Sequence, residues 1–394
     1  MVNFALTEDQ TALKEECQKF GERQLQPIAD ERDRVASEDP EGPFPWDALK
    51  EFSSLGLKNL PLPKKWGGAD MGVLTHCVLL EELMAAEAGF AAAVHQSWKL
   101  AGLLLECGTE EQKSKYIPMF AEDDTCLLGD GTLGPITPPD DLRLTAAREG
   151  SGWVLDGKKR FVGCGPLAKL FIVDARARGA APGSGETFTF IVPKNAPGVW
   201  LGEVHDKMGT RIFLESELDF EKCRIPGEDV LPDGTGNGTG TKSRYFGKIA
   251  PTLGAFGVGI ARAALEKAIE HALERVQGGK PIFEHDIVSL RLAEMKVNVD
   301  VARDLVWRAA WHSDNPGEFE SGLGMTSVLF ASEMAPRVCD AAIQIFGGYG
   351  FMRDYPVQKY WRDAIGCLFH GETHDTARLK LGRLLETENI QGRG

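Results

Sequence analysis

The sequence predicts an α+β multidomain chain with an N-terminal helical domain (residues 1–122), a central β-barrel or sandwich domain (123–233) and a C-terminal four-helix bundle domain (234–394). Three observations predict it. Apolar residues recur at helical spacing on both flanks. Between Asp123 and Asp233, Gly and Pro are frequent and β-formers alternate with polar residues. A polar, Gly-rich run from Asp233 to Gly240 joins the second part to the third.

Thr7-Glu8-Asp9-Gln10 has the spacing of a capping box, in which the Thr hydroxyl and the Gln amide satisfy free N–H groups at a helix start. Leu13, Cys17 and Phe20 then mark one apolar helical face. Pro45-Trp46-Asp47 opens a second helix, since Pro fits the first turn. Leu74 to Glu106 is Ala- and Leu-rich and helical, and Glu110 to Phe120 is a shorter helix. Within the first of these, Leu83 to Leu105 is interrupted by Glu87, His95, Gln96 and Lys99, which suits a buried helix hairpin and not a membrane span.

Strands are expected at Gly152–Gly157, Leu170–Val173, Thr187–Val192 and Glu217–Phe220. Short strands at this spacing suit a small barrel or sandwich. Long periodic segments at 244–276, 284–313, 323–346 and 372–386 have the length of bundle helices.

Lys and Arg number 44 against 58 Asp and Glu, so the net charge is −14, which argues against a general nucleic-acid or anionic-membrane binder. The eight cysteines are scattered with no C-x-x-C pair, so no zinc or dithiol motif is written and no metal site is expected. Single thiols suit a reducing compartment. Residues 1–10 lack a basic start and apolar run, so a cytoplasmic location is expected.

No G-x-G-x-x-G follows a strand, which disfavours a Rossmann site. Gly240-Thr241-Lys242-Ser243 approaches a P-loop but lacks the Gly before the Lys, and a linker reading stands against it. Gln344-Ile345-Phe346-Gly347-Gly348-Tyr349-Gly350 offers bare backbone N–H groups to a phosphate, or simply caps a helix. Arg275-Val276-Gln277-Gly278-Gly279 offers a guanidinium suited to phosphate, or a cation at a helix C-terminus.

Taken in order, several segments resemble the acyl-CoA dehydrogenase family across nearly the whole chain. They are Leu6 to Gln10, Lys207-Met208-Gly209, Arg275 to Ile282 with Glu284-His285 and Leu292 to Met295, Gln344 to Gly350, and Arg362-Asp363-Ala364. The closing Thr373-His374-Asp375 with Leu381-Gly382-Arg383 is similar to the glutaryl-CoA branch. The resemblance implies FAD held between subunits of a homotetramer or homodimer, an acyl-CoA substrate and an electron-transfer flavoprotein as acceptor. By this resemblance Arg275 and Gln277 face the FAD pyrophosphate, and Gln344, Gly347 and Gly348 reach a neighbouring subunit's FAD. Phe161 and Gly163 fall at the flavin ring, and Thr373 and Asp375 just after the catalytic loop.

The sequence departs from that pattern at the base. The Glu of the family's Glu-Gly-Thr segment becomes Gly371, with Glu372 at the following glycine. The alternative base position, on the first helix of the C-terminal domain, falls on Ile249; the Arg that usually follows is Ala250, with Lys248 nearby. The Thr-Glu-Pro…Gly-Ser-Asp segment is replaced by Gly131 to Asp140, the aromatic-Ile-Thr contact by Phe161-Val162-Gly163-Cys164, and the Phe expected beside Gly279 by Gly278.

Removing a proton α to a thioester carbonyl needs a base within hydrogen-bonding reach. Glu372 is the expected base. His370 and His374 flank it and titrate near neutrality when solvated. His95-Gln96-Ser97 ends the Ala-rich helix near the acyl tail in the resemblance, and a packed core His is the competing reading. Cys164 is a nucleophile or an inert buried thiol. The expected function is an acyl-CoA dehydrogenase-like flavoenzyme with a rearranged base. The alternatives are desulfinase or monooxygenase chemistry on the same fold, or a non-catalytic subunit of a heteromer.

Overall fold

The structure is a computed structural model that describes residues 5–35, 44–132, 143–179, 186–232, 240–315, 322–371 and 373–391, with side chains to residue 385. The expected Asp233–Gly240 connector up to residue 239, the Gly131–Asp140 segment beyond Thr132, and Glu372 lie outside the described residues.

Helix α1 (Glu8–Phe20) begins with the capping box: the Gln10 N–H donates to Thr7 Oγ1 at 3.2 Å and the Thr7 N–H to Gln10 Oε1 at 3.0 Å. Its buried face is Cys17 and Phe20. A π-helical turn leads to α2 (Ala29–Val35), and Pro45 precedes α3 (Trp46–Ser54). The apolar stretch is two helices, α4 (Val73–Ala86) and α5 (Ala88–Cys107), hinged at Glu87. The Glu87 carboxylate caps α5 by accepting from the Phe90 N–H at 2.5 Å. His95-Gln96-Ser97 therefore lies inside α5 and does not end it, because nothing breaks the helix before Gly108. A second capping box, Thr109 with Gln112, starts α6 (Glu110–Glu122). Phe20, Phe52, Phe90 and Trp98 fill the centre of this helical block.

The strands are β1 (Leu128–Gly131), β2 (Thr145–Glu149), β3 (Gly152–Gly163), β4 (Leu170–Ala177), β5 (Thr187–Pro193), β6 (Val199–Val204) and β7 (Glu215–Ile225). β1 pairs with β3 and β4, and β2 also pairs with β3 and β4, so these four close a ring. β5 extends it beyond β4; β7 and then β6 extend it beyond β3. The four predicted strands all occur; β1, β2 and β6 were not predicted, being short or mixed in character.

The C-terminal part holds α7 (Thr241–Ile249), α8 (Pro251–Glu274), a two-residue-strand hairpin of β8 (Val276–Gln277) and β9 (Lys280–Pro281), α9 (Asp286–Asp314), α10 (Leu323–Phe346), α11 (Val357–Gly366) and α12 (His374–Gln391). The segment expected as one helix over 244–276 is divided, because Pro251 has no N–H to donate back and instead begins α8. Ile249 accordingly ends α7 and does not ride on the long helix. α8, α9 and α10 pack on one another, and α4 lies across α8 and α9.

Two of the quoted motifs lock the three parts together. Gly209 is pressed against α11, where a Cβ would sit 2.2 Å from the Arg362 carbonyl oxygen. The next residue, Thr210, holds φ 45° and donates its N–H to Asp363 Oδ1 at 2.6 Å. Buried Lys359 bridges Asp363 (2.7 Å) and Glu87 (2.8 Å), and Arg362 grips Asp33 through both nitrogens (2.6 and 3.1 Å) while donating to the Met208 carbonyl (2.7 Å). Burial alone would push the Lys359 ammonium down, but Asp363, Glu87 and Asp33 hold it above its ordinary range. Lys242 of the P-loop-like run is likewise structural: it binds both Asp174 oxygens at 2.6 Å and Thr189 at 3.0 Å.

Candidate active site

The end of β3 is strained. Phe161 (φ 52°) and Cys164 (φ 58°) both occupy the left-handed region, and the β3–β7 register slips between Lys159 and Val162. Non-glycine residues held there mark sites the surrounding structure over-determines. The slip turns the Phe161 ring outward, 69% exposed, beside His205 at 4.7 Å. Gly163 pairs with Asp130 of β1 and with Glu215 of β7. A Cβ on Gly163 would lie 3.0 Å from Phe213 and 3.3 Å from the Gln96 amide, so the Gln96 side chain of α5 ends at this turn.

Charges around the turn are paired. Lys99 meets Asp130, whose other oxygen accepts from the Thr132 N–H (2.7 Å) and hydroxyl (2.6 Å); burial opposes ionisation of Asp130, yet Lys99 and Thr132 hold it below the usual range. Lys207 meets Glu215 at 2.9 Å. Cys164 is buried and desolvation drives its thiol far up, so the inert reading holds and the nucleophile reading does not.

The loop between α11 and α12 reaches the same place from the other side. The half-buried His370 ring meets Phe256 of α8 edge-on at 5.5 Å, and Phe256 in turn meets His95 of α5 at 5.0 Å. Desolvation lowers the His370 imidazole to about 4; Glu215 opposes this, while Lys207 and Lys99 add to it. His370 is therefore neutral at pH 7. Gly371 adopts φ 78°, and a Cβ there would lie 3.0 Å from Leu253, one turn beyond Ile249. A side chain at Gly371 would be strained, and the loop packs on the start of α8, one turn beyond the alternative base position expected at Ile249. His374 is not free for acid–base work: its Nε2 meets Ser332 Oγ and its Nδ1 meets Glu333, each at 3.0 Å, pinning α12 to α10. Thr373 accepts from the Thr376 N–H at 3.3 Å as a helix cap, and Asp375 is exposed.

A second group gathers at the far end of α8. Arg275 ends that helix, and its guanidinium lies over the Tyr349 ring at 5.5 Å, next to Gly347 and Gly348. Arg275 caps α8 through its N–H to the His271 carbonyl, as the helix-end reading expected, and Gly278 and Gly279, both at positive φ, then turn the β8–β9 hairpin. His271 stacks on Phe346 at 4.0 Å and fixes the two helix ends together. Arg275, Gln277, Gln344, Gly347 and Gly348 are all exposed. No carboxylate pairs with Arg275 among the described residues, and a Cβ on Gly347 or Gly348 would meet nothing within 4 Å. This is an open cationic surface with bare backbone, chemistry that fits a pyrophosphate.

Two polar features went unread in the sequence. Lys99–Asp130 and His205 carry no spacing signal, and only folding brings them to Gly163 and Phe161. Tyr349 lay inside a quoted motif, but its partner Arg275 is distant in the chain.

Family models described as the acyl-CoA dehydrogenase N-terminal, middle and C-terminal domains match residues 7–124, 139–223 and 236–374. A probable acyl-CoA dehydrogenase of Bacillus subtilis (strain 168) is 32% identical, over 98% of this chain and 100% of that protein. The solved structure of butyryl-CoA dehydrogenase from Megasphaera elsdenii has a TM-score of 0.87 at 30% identity, covering 98% of this chain and 100% of that one. Glutaryl-CoA dehydrogenase from Mycobacterium smegmatis shares the fold with a TM-score of 0.86 at 23% identity, covering 98% and 96%.

Proposed function

The chain belongs to the acyl-CoA dehydrogenase family, and on that premise we propose that it is a FAD-dependent oxidoreductase acting at the α,β carbons of an acyl thioester, with Glu372 as its base. The observation that carries this reading is the convergence at the end of β3: a strained, outward-facing Phe161, the bare Gly163 and the His370–Gly371 end of the loop that bears Glu372.

Bound against this turn, the flavin ring supplies the hydride acceptor for the β carbon. The chain's own residues do the rest. Phe161 offers the ring an aromatic face, and Gly163 leaves room for close approach. Glu372 takes the α proton, while His370 and Gly371, seated on Phe256 and Leu253, fix the loop before it. Burial holds His370 neutral at pH 7, so it places no cation beside Glu372 that would lower the basicity of the carboxylate. Thr373 and Asp375 follow as flavin-side contacts.

Arg275, Gln277, Gln344, Gly347 and Gly348 hold the pyrophosphate. Gly371 sits against the start of α8 and Arg275 follows its end. The helix has 24 residues, which at ~1.5 Å per residue separates the two groups by roughly 35 Å. That span exceeds one flavin dinucleotide, so the two groups serve the same cofactor only from different copies. A row of exposed apolar residues on α9, Ile287, Leu290, Val297 and Val301, is spaced like a coiled-coil seam and suits contact between copies. The assembly is a homotetramer or homodimer.

The substrate is an acyl-CoA and the electrons leave to an electron-transfer flavoprotein. All eight thiols are free and buried, which suits the cytoplasm. No helix among the described residues is long and apolar enough to cross a membrane.

The test is Glu372→Gln. The variant should retain bound FAD and its yellow colour but lose bleaching by short acyl-CoAs. Full bleaching in that variant rejects Glu372 as the base.

A further inference from the structure

Three consecutive polar residues of α5 face the interior, and only one is satisfied. Ser97 Oγ donates to the Ala93 carbonyl at 3.2 Å and accepts from the Leu128 N–H at 3.0 Å. His95 is 3% exposed; its Nδ1 lies 3.3 Å from His76 Nε2, and its own Nε2 has no partner. Gln96 is 7% exposed and its amide nitrogen has no partner either. A buried donor left unpaired is costly and rare in native proteins, and two on adjacent residues call for an explanation.

Their surroundings supply one. The Gln96 side chain ends at Gly163, with its amide carbon and oxygen 3.3 Å from where a Cβ would stand, and Gly163 is where the flavin ring is proposed to lie. His95 touches Phe256, and Phe256 touches His370 on the catalytic loop. Gln96 therefore lies beside the proposed flavin position and His95 behind the Phe256 ring that seats the His370 loop, and the dehydrogenation itself uses neither.

Resting on the reading above, we propose that His95 and Gln96 form a polar wall that selects acyl groups bearing a neutral oxygen, a hydroxyl or carbonyl, over plain alkyl chains. The Gln96 amide donates to that oxygen, and the free ring nitrogen of His95 supplies a second hydrogen bond, as donor or acceptor according to its tautomer. A carboxylate is disfavoured. The nearby cation, Lys99, is committed to Asp130, and a buried carboxylate without a cation is expensive. Burial also keeps both histidines neutral: it lowers His76 to about 3, and it lowers His95 well below the ordinary range, with His76, Lys99 and His370 adding to the effect.

The experiment compares kcat/KM of the flavin-loaded enzyme on short acyl-CoAs. Each is supplied as the plain alkyl thioester, with a hydroxyl or oxo group at each carbon beyond the β position, and as the dicarboxylic analogue. At least one neutral oxygenated member should exceed its alkyl parent by about ten-fold or more. That ratio should collapse towards unity in His95→Phe and in Gln96→Leu. The wild-type comparison needs no variant, so a poorly folding variant leaves the test intact. A preference for alkyl chains, a preference for the dicarboxylic analogue, or a ratio untouched by both substitutions overturns the proposal. Absence of turnover on every acyl-CoA overturns the dehydrogenase reading beneath it.

Discussion

The clamp around Lys359 and the side-chain cluster around His95 are equally buried and differ in one respect. At the clamp, Lys359, Glu87, Asp363 and Asp33 are between 1% and 6% exposed, and every one has a charged partner. In the cluster, His95 and Gln96 are 3% and 7% exposed, and each ends in an atom with no partner. Burial alone therefore does not tell structure from function here. Pairing does: the charges of the clamp are matched and hold the domains together, whereas the idle atoms of His95 and Gln96 are open to the proposed ligand.

The contrast can be broken in order of expected effect. The largest is chemical. Glu372→Gln should slow substrate-dependent bleaching by about 10²–10⁴-fold, read by anaerobic stopped-flow, with no change in melting temperature. Next comes the clamp. Lys359→Met strands Glu87 and Asp363 without a cation and should cost about 3–5 kcal/mol in urea unfolding. Gln96→Leu removes an unsatisfied group and should cost less than about 1.5 kcal/mol, or stabilise. Equal losses in the two variants would erase the distinction.

Arg275→Ala should weaken FAD binding by roughly ten- to a hundred-fold, the worth of a charge-assisted hydrogen bond, without changing unfolding of the flavin-free protein. Fluorescence titration of FAD measures it. A smaller effect concerns acid. His76 has its folded pKa depressed to about 3, so the unfolded chain binds the proton more readily. Its contribution is present above the unfolded value and is lost as pH falls, at up to about 1.4 kcal/mol per pH unit below ~6.5. His76→Phe should flatten the acid limb of stability relative to wild type. A parallel limb in both proteins would show that His76 is not neutral in the fold. The smallest expected change is at the thiols: with all eight buried, alkylating reagents should label none until the protein unfolds.

Much of this was legible in the residues, for physical reasons that differ by region. Periodicity gave α1, α9 and α10, because an apolar stripe is a local pattern. It missed the break at Pro251, where one absent N–H outweighs a continuing apolar face. Strands β1 and β2 escaped because they are short and draw their burial from the closed ring, and β6 because it is a mostly exposed edge strand with no buried face to pattern. The residues proposed for the pyrophosphate are readable as motifs, since bare glycines and an exposed Arg carry their chemistry locally. The cluster around His95 is not. His95 is a lone histidine in an apolar helix, and the sequence does not tell a satisfied core residue from one with an idle nitrogen. The Lys207-Met208-Gly209 and Arg362-Asp363-Ala364 segments carry the family resemblance in the sequence, and in the fold they form part of the clamp.

The most direct test of the account mixes two broken copies. Glu372→Gln chains and chains carrying Arg275→Ala with Gln277→Ala are each expected to be inactive alone. Co-expressed and allowed to assemble at random, they should regain acyl-CoA-dependent bleaching in about a quarter of the sites, because half the pairs are mixed and each mixed pair has one intact site. Activity in the mixture no higher than in either parent would mean that a single chain holds its own flavin, and would contradict the shared site.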